Sequence, residues 1–167
     1  MKSAATRIRR YRAGDFMAVT ILWRIAREKA LPDLQRRKGH FFHEDLAYFQ
    51  NHVLLNDNVW VAILDKTCVA FMAMTGNFID QLYVHPDHWR RGIGTALLNV
   101  TKKRSPNHVW LYTLQANINA RIFYEKRGFG SEIFGISPAP ESEPDVQYHW
   151  RCESAPVAGR RRQRSDP

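Results

Sequence analysis

Apolar positions near the start of the chain repeat at intervals of three and four residues, the period of a helix with one buried face. The first such face consists of Phe16, Val19, Trp23, Ala26 and Ala30. Gly14-Asp15 is expected to supply the preceding turn and the N-cap, and Pro32 is expected to stop or interrupt the helix. A second helix is predicted over 43–53, and the polar segment DLQRRKGHF between the two helices is expected to be mobile.

Beyond residue 56 the pattern changes to short apolar runs that are typical of strands. Strands are predicted at 6–11, 59–64, 68–75, 78–84, 109–114, 129–136 and 146–152. Helices are predicted at 94–103 and 117–127. Asp65-Lys66 is expected to form a hairpin-like turn between two of these strands, and His85-Pro86-Asp87 is expected to end the strand at 78–84.

The order of these elements indicates an α/β domain with a mixed sheet. Antiparallel strands come first, and a helical crossover follows the glycine-containing segment at 92–94. One domain is expected over 1–152, because this length suits a single core. Residues 153–167 lack an apolar face and are expected to form a basic, disordered tail.

Composition and charge narrow the classes of function. The formal net charge is +9 at pH 7, which favours an anionic partner, either nucleic acid or a phosphorylated small molecule. No stretch is apolar over the ~20 residues that a membrane-spanning helix needs, so we expect a cytoplasmic protein without a membrane partner. Cys68 and Cys152 form neither a disulfide framework nor a metal-binding pattern, and no metal is expected.

The segment LYVHPDHWRRGIGTALL, residues 82–98, has the design of an anion-binding loop. Gly92 and Gly94 lack Cβ atoms, so backbone N–H groups can approach phosphate oxygens, and the following helix adds the positive end of its dipole. Arg90 and Arg91 can add charge-assisted contacts. A simple turn before a helix has the same glycine spacing, whereas P-loop and dinucleotide-binding signatures require residues that this segment lacks.

A second segment, LYTLQANINARIFYEKRGF at 111–129, makes the first one far more specific. Together they resemble the GNAT superfamily of acetyl-CoA-dependent N-acetyltransferases, whose loop reads approximately Q/R-x-x-G-x-G/A. The later family motif, N-x-x-A-x-x-F-Y-x-x-x-G-F, is matched by Asn117, Ala120, Phe123, Tyr124, Gly128 and Phe129. Trp89 departs from the pattern, because it stands where the loop usually has Gln or Arg. The resemblance implies a mostly antiparallel central sheet that is flanked by helices on both faces.

The resemblance also implies which residues contact acetyl-CoA. They are Leu82, Tyr83, Val84, Arg90, Arg91, Gly92, Ile93, Gly94, Thr95 and Asn117. The strand at 82–84 would pair with the pantetheine arm and polarise the thioester carbonyl, while the backbone amides at 91–95 would bind the pyrophosphate. Asn117 would bind the pantetheine arm or cap the helix that it begins, and one side chain can do both.

Two side chains are candidates for proton transfer. Tyr124 resembles the family residue that protonates the departing CoA thiolate, and its alternative role is that of a core aromatic beside Phe123. Asp80 is the candidate general base and shares strand parity with Leu82 and Val84, unless it is only an edge or surface aspartate.

Several further polar residues are weighed for the same region. His40, His43 and Glu44 lie where the family usually shapes the acceptor pocket, and they are reserve candidates for the base or else solvated residues. His85 and His88 are expected to be turn residues or neighbours of the phosphates rather than metal ligands.

The expected reaction is direct transfer of an acetyl group to a primary amine while both substrates are bound, without a covalent acyl-enzyme. The segment at 31–52 carries no recognisable specificity signature, so the acceptor stays open between a small molecule and a protein. One alternative is a sensor of this fold that binds acyl-CoA without turnover. The other is a basic nucleic-acid-binding module, although the chain lacks the usual signatures of one and no nucleic-acid partner is expected. A homodimer also stays open, because small domains of this type often dimerise.

Overall fold

A single mixed sheet forms the centre of the protein, which we describe from a computed structural model over residues 5–139 and 141–153. The strands are β1 Arg7–Arg10, β2 Asn58–Leu64, β3 Thr67–Thr75, β4 Phe78–Val84, β5 His108–Leu114, β6 Gly130–Ile136 and β7 Pro144–Arg151. Their order across the sheet is β1-β2-β3-β4-β5-β7-β6. Every neighbouring pair is antiparallel except β4 and β5, which are parallel.

Helices occupy both faces of this sheet. They are α1 Phe16–Ala30, α2 Pro32–Lys38, α3 Phe42–Tyr48, α4 Leu54–Asn56, α5 Ile93–Arg104 and α6 Ile118–Glu125. A π-helical turn, Phe49–Val53, joins α3 to α4, and short 3-10 turns precede α1 and follow β4. Within the described part of the chain, no helix is long and apolar enough to cross a membrane.

The alternation of side chains along β2 and β3 separates two apolar cores. On one face, Val61 and Phe71 pack with α1 and the π-helical turn. On the other face, Ala62 and Met72 pack with Leu97 of α5. The sheet is therefore buried on both sides where the first strands meet the helices, which confirms the predicted mixed, mostly antiparallel sheet with helices on both faces.

The segment DLQRRKGHF is mostly helical, whereas its polarity had indicated a mobile connection. Pro32 opens α2 at the first helical position, where a missing N–H costs nothing, and Gly39 ends it in the left-handed conformation at φ 62°. Lys38 Nζ then donates to Glu141 Oε1 at 2.8 Å, which ties α2 to the segment before β7. Local capping and a contact distant in sequence thus outweigh the polar composition.

Asp15 occupies the N-cap position of α1, as predicted, but its side chain makes no capping hydrogen bond to that helix. Its carboxylate accepts from the backbone N–H of Arg12 at 2.8 Å and pairs with Arg9 at 2.7 Å. The Arg9 hydrogen bond is the largest influence that lowers the pKa of Asp15. Asp15 therefore closes a 3-10 turn and fastens β1 to it.

The predicted tail beyond residue 153 lies outside the described residues.

Candidate active site

The candidate site begins where β4 and β5 separate. These parallel strands pair only at Phe78 with Trp110 and at Ile79 with Leu111, and from there they diverge towards Val84 and Leu114. The edge of β4 that faces β5 consequently has backbone groups without a strand partner over its second half. The strands leave an opening in the middle of the sheet.

The carbonyl of Val84 points into this opening. The N–H of His85 donates to Val69 O of β3 at 2.8 Å, and the N–H and C=O of one trans peptide point in opposite directions. On the side that faces away from β3, Trp89 Nε1 donates to Val84 O at 2.8 Å. The residue that departs from the family loop motif thus has a definite partner on the edge of β4.

The anion-binding loop leads from the end of β4 into α5. Gly92 has φ 78° and Arg90 has φ 61°, so the backbone of both residues is in the left-handed region. The first N–H groups of α5, which begins at Ile93, have no acceptor within their own helix. The side chains of Arg90 and Arg91 are exposed beside these amides, so backbone dipole and positive charge converge at the end of the opening.

The missing side chain of Gly94 has a packing role in the junction between α5 and α6. A Cβ at this position would lie 2.9 Å from Phe123 Cζ, which is closer than real Cβ contacts. The absence of that atom lets α6 pack closely against the start of α5. Arg127 completes the junction, because its Nε donates to Thr95 Oγ1 at 2.7 Å and its guanidinium lies 3.9 Å from the ring centre of Phe123.

Tyr124 lies in the apolar core between α6 and the sheet. Its ring makes edge contacts with Phe123 and Phe129, and only 7% of the residue is exposed. Burial raises the pKa of the phenol, and the neighbouring Tyr83 raises it further. No described residue hydrogen-bonds the Tyr124 hydroxyl, and Tyr83 of β4 is the neighbour whose charged state acts on its pKa.

Asn117 begins α6 and caps it. Its side-chain oxygen accepts from the backbone N–H of Ala120 at 3.2 Å, the capping geometry expected from its position. The same residue lines the large cleft described below, next to Leu114 at the end of β5. Its capping role is observed, and its proposed role towards the pantetheine arm uses the same location.

A β-bulge places Asp80 on a different face from the one predicted by strand parity. Ala73 pairs with Gln81 and the next residue of β3, Met74, pairs with Ile79, so Asp80 is the extra residue of β4. Ile79 and Leu82 therefore both pack in the core on the α5 side. Asp80 lines the cleft on the other side of the sheet.

This cleft has a volume of about 980 Å³ and opens between the sheet, α1, α2 and the segment before β7. Aromatic side chains form much of its wall, namely Trp23, Tyr48, Phe78, Tyr83 and Tyr112. Burial raises the pKa of Tyr83, whose ring stacks on Phe71 with 5.8 Å between centroids. Asp80 and Glu44 add carboxylates, whereas the Arg27 guanidinium is already paired with Asp45.

The reserve candidates divide between the cleft and other places. His40 and Glu44 line the cleft and lie 3.6 Å apart, whereas His43 stacks on Phe41 and is not among the lining residues. His85 accepts from the N–H of Asp87 at 3.3 Å and so stabilises the turn after β4. Across residues 5–139 and 141–153, no group of His, Cys, Asp and Glu is placed to hold a metal ion.

Asp57 is the residue of this region that sequence reasoning missed. It precedes β2, is half-buried, and lies near enough to Asp80 for the charge of that residue to act on it. Burial is the largest cause that raises the pKa of Asp57 to about 6, followed by the charge of Asp80. The sequence offered no signal for it, because Asn56-Asp57-Asn58 has the composition of an ordinary turn.

Known proteins share both sequence and fold with this chain. The model of the acetyltransferase (GNAT) family matches residues 21–129. An uncharacterized N-acetyltransferase of Escherichia coli, YafP, is 37% identical over 46% of this chain, and the match spans about half of YafP, 48% of its length. The peptidyl-lysine N-acetyltransferase YiaC of Escherichia coli is 29% identical over 73% of this chain and 82% of its own length. The solution structure of apo YjaB from Escherichia coli superposes with a TM-score of 0.74 at 21% identity, covering 87% of this chain and 97% of YjaB.

Proposed function

This chain belongs to the acetyltransferase (GNAT) family and is an acyltransferase, and we propose that it moves an acetyl group from acetyl-CoA directly to a primary amine. One observation carries the proposal: the divergence of β4 from β5 ends beside the N-terminus of α5. An extended polar arm fits the first feature and a pyrophosphate fits the second. The open edge of β4 and the N-terminus of α5 follow each other in the same order as the pantetheine arm and the pyrophosphate do in CoA.

In this proposal acetyl-CoA is held mainly by backbone groups. Leu82, Tyr83 and Val84 offer their free edge to the pantetheine amides, with the thioester carbonyl polarised at the Leu82 end. The pyrophosphate lies against the amides from Gly92 to Thr95, and Arg90 and Arg91 add positive charge. Asn117, on the opposite wall, donates from its side-chain amide to the arm while its oxygen caps α6.

Two side chains of the chain move protons. Asp80 accepts a proton from the ammonium group of the acceptor, and the neutral amine then attacks the thioester carbon. As the carbon–sulfur bond breaks, the Tyr124 hydroxyl donates its proton to the thiolate. The raised pKa of Tyr124 keeps the phenol protonated at working pH, and a thiolate in the same buried environment is desolvated in the same way. No covalent acyl-enzyme is required.

We propose a lysine side chain in a peptide or protein as the acceptor. The cleft combines aromatic walls, which suit the aliphatic stem and the cation of lysine, with the carboxylate of Asp80 at the sheet. The relative YiaC, named as a peptidyl-lysine N-acetyltransferase, supports the same class of acceptor. The volume of the cleft, about 980 Å³, also leaves room for residues on either side of a lysine.

The test is a measurement of CoA release from acetyl-CoA with a panel of lysine peptides, free amino acids, polyamines and aminoglycosides. We expect CoA to be released with the lysine peptides. Mass spectrometry is expected to find the same peptides acetylated on the ε-nitrogen. Matched peptides with arginine in place of lysine are the control. Binding of acetyl-CoA with no release for any amine would instead support the sensor that binds without turnover.

A further inference from the structure

We infer that Tyr112 is a specificity-determining residue whose hydroxyl donates a hydrogen bond to a carbonyl oxygen of the acceptor. The cleft thereby prefers a lysine within a peptide to a simple alkylamine. The inference rests on the proposed acetyl transfer and deepens it, because the transfer of the acetyl group does not itself use Tyr112. This tyrosine lines the cleft and is 47% exposed.

Tyr112 stands across the opening of the sheet from the proposed base. Phe78 of β4 pairs with Trp110 of β5. Two residues further along these parallel strands stand Asp80 and Tyr112, and both line the cleft. The Tyr112 hydroxyl reaches towards β7, where Gln147 Nε2 donates to it at 2.6 Å. An acceptor with its amine at Asp80 therefore meets this hydroxyl with a part of the molecule that is distant from the amine.

A chain of hydrogen bonds ends at this hydroxyl, and Trp110 fixes its direction at the other end. An indole N–H can only donate, and Trp110 Nε1 lies 3.3 Å from Asn77 Oδ1. The amide of Asn77 consequently directs its Nδ2 at Nδ1 of His108, 3.0 Å away, so this ring nitrogen accepts. The backbone N–H of Trp110 also donates to Asn77 O at 3.0 Å, which holds the two residues together.

The two histidines pass this direction on, because a neutral imidazole has one donor and one acceptor nitrogen. His108 carries its proton on Nε2 and donates to His149 Nδ1 at 2.9 Å. The two ring planes are within 7° of parallel and their centres are 5.2 Å apart, which fits an in-plane N–H···N bond. His149 then donates from Nε2 to Gln147 Oε1 at 3.2 Å. Since the Gln147 amide donates to the Tyr112 oxygen, the proton of that hydroxyl is directed elsewhere.

The surroundings keep both histidines neutral, as this chain requires. Burial is the largest cause that lowers the pKa of His108 and of His149. The charge of Arg151 lowers both pKa values, whereas the charge of Glu132 raises both. Glu132 Oε2 lies 3.8 Å from His149 Nε2, but this carboxylate already accepts from Arg151. A second proton on either ring would set two donors against each other, between the rings or at Asn77.

The direction of the chain leaves the Tyr112 hydroxyl as a donor towards the cleft. Across residues 5–139 and 141–153, no group accepts from it. The rings of Phe78 and Trp110 hold the tyrosine ring in place, with centroids 6.2 and 5.5 Å away. A backbone carbonyl can accept from this hydroxyl, whereas an ammonium group has only donors. The hydroxyl thus recognises a part of a peptide that a simple alkylamine lacks.

The first test needs no acceptor. Nitrogen-15 NMR of labelled histidine side chains distinguishes the Nδ1–H from the Nε2–H tautomer. We expect both His108 and His149 as Nε2–H tautomers at neutral pH. Trp110→Phe removes the donor that fixes the direction, and a second tautomer is then expected to appear. An Nδ1–H tautomer of either histidine in the parent protein overturns the inferred direction.

The second test compares the lysine peptide from the CoA-release assay with pentylamine, which has the stem and amine of lysine and no carbonyl. Pentylamine is measured as a competitive inhibitor of peptide acetylation. Tyr112→Phe is expected to raise the peptide KM by about three- to tenfold, the range of one neutral hydrogen bond, with kcat little changed. The inhibition constant of pentylamine is expected to stay within about twofold, because this amine offers the hydroxyl no acceptor.

Gln147→Glu is the matched inversion of the chain. A carboxylate accepts from both His149 and Tyr112, so it turns the hydroxyl proton away from the acceptor. The ratio of peptide KM to pentylamine inhibition constant is expected to rise as it does in Tyr112→Phe. Gln35→Glu adds the same charge to the cleft wall outside the chain and is expected to leave this ratio in place.

The outcomes separate this inference from the proposed function. A peptide KM that is unchanged in Tyr112→Phe, or that rises in step with the pentylamine constant, overturns the inference alone. A parent protein that acetylates only amines without a carbonyl does the same and leaves acetyl transfer in place. A parent protein without turnover for any amine overturns the proposed function and this inference with it.

Discussion

Trp89 Nε1 and Val84 O are joined by a 2.8 Å hydrogen bond that closes the free edge of β4. The bond spans the position where the pantetheine arm is proposed to pair with the strand. In the proposed site, an amide N–H of that arm would meet a carbonyl that already accepts from the indole N–H. The departure from the family loop motif at this residue thus bears on the proposed substrate site.

Replacement of Trp89 by Phe tests this competition, because it keeps an aromatic ring and removes the indole N–H. The free protein is expected to lose about 1 kcal/mol of stability, and the Kd for CoA by calorimetry is expected to fall by about three- to tenfold. Trp110→Phe, which removes an indole N–H that donates to Asn77 instead, is the control. Weaker CoA binding by Trp89→Phe would show that the indole is itself part of the binding site.

Substitutions at the two loop glycines, Gly92 and Gly94, are expected to destabilise the protein for different reasons. Gly92→Ala places a Cβ in the left-handed region at φ 78°, with a cost of about 1–2 kcal/mol and a distorted set of amides for the pyrophosphate. Gly94→Ala forces Phe123 to move, and the double variant with Phe123→Leu is expected to recover part of the lost stability. Thermal unfolding with and without CoA separates the effects, and Gly14→Ala, with open space around its Cβ, is the control. Equal CoA binding by Gly92→Ala and the parent would contradict the loop assignment.

Tyr124→Phe is expected to slow the chemistry without changing the fold. No described residue hydrogen-bonds this hydroxyl, so the melting temperature should stay within about one degree of the parent value. Turnover should fall at least tenfold, because general acid catalysis contributes about 10²–10⁴-fold and water can replace part of it. Tyr148→Phe is the matched contrast, because its hydroxyl donates to Glu125 and accepts from Arg121, and it should lose stability. Parental turnover in Tyr124→Phe, under conditions where chemistry limits the rate, would remove Tyr124 as the acid.

The raised pKa of Asp57 also predicts how stability depends on pH. Its folded value of about 6 lies above the ordinary ~3.9, so the folded state binds this proton more tightly than the unfolded state does. The favourable contribution is full below about pH 4 and is lost as pH rises through about 6. The melting temperature of Asp57→Asn, relative to the parent, is therefore expected to rise between pH 4 and 7. A constant difference for Asp57→Asn would contradict the shifted titration.

Local patterns were sufficient to predict the strands, α5 and the cap at Asn117, because periodicity and capping depend on neighbouring residues. The face of Asp80 was not predictable, since the bulge that turns it is a matter of register between β3 and β4. Asp57 was missed for a related reason: Asp80, whose charge raises its pKa, belongs to a strand distant in sequence, and a turn composition hides the burial of Asp57. The helix α2 was missed because its ends are fixed by Pro32 and Gly39 rather than by an apolar face.

We propose that the acetyl group passes directly from acetyl-CoA to an amine in the opening between β4 and β5. A single-turnover experiment with acetyl-labelled CoA and the lysine peptide tests it most directly, with enzyme in excess and each substrate omitted in turn. We expect CoA release and acetylated ε-amine to appear together at one rate, only when both substrates are present, with no label left on the protein. Labelled protein that forms without the peptide and later passes its label to the peptide would contradict direct transfer.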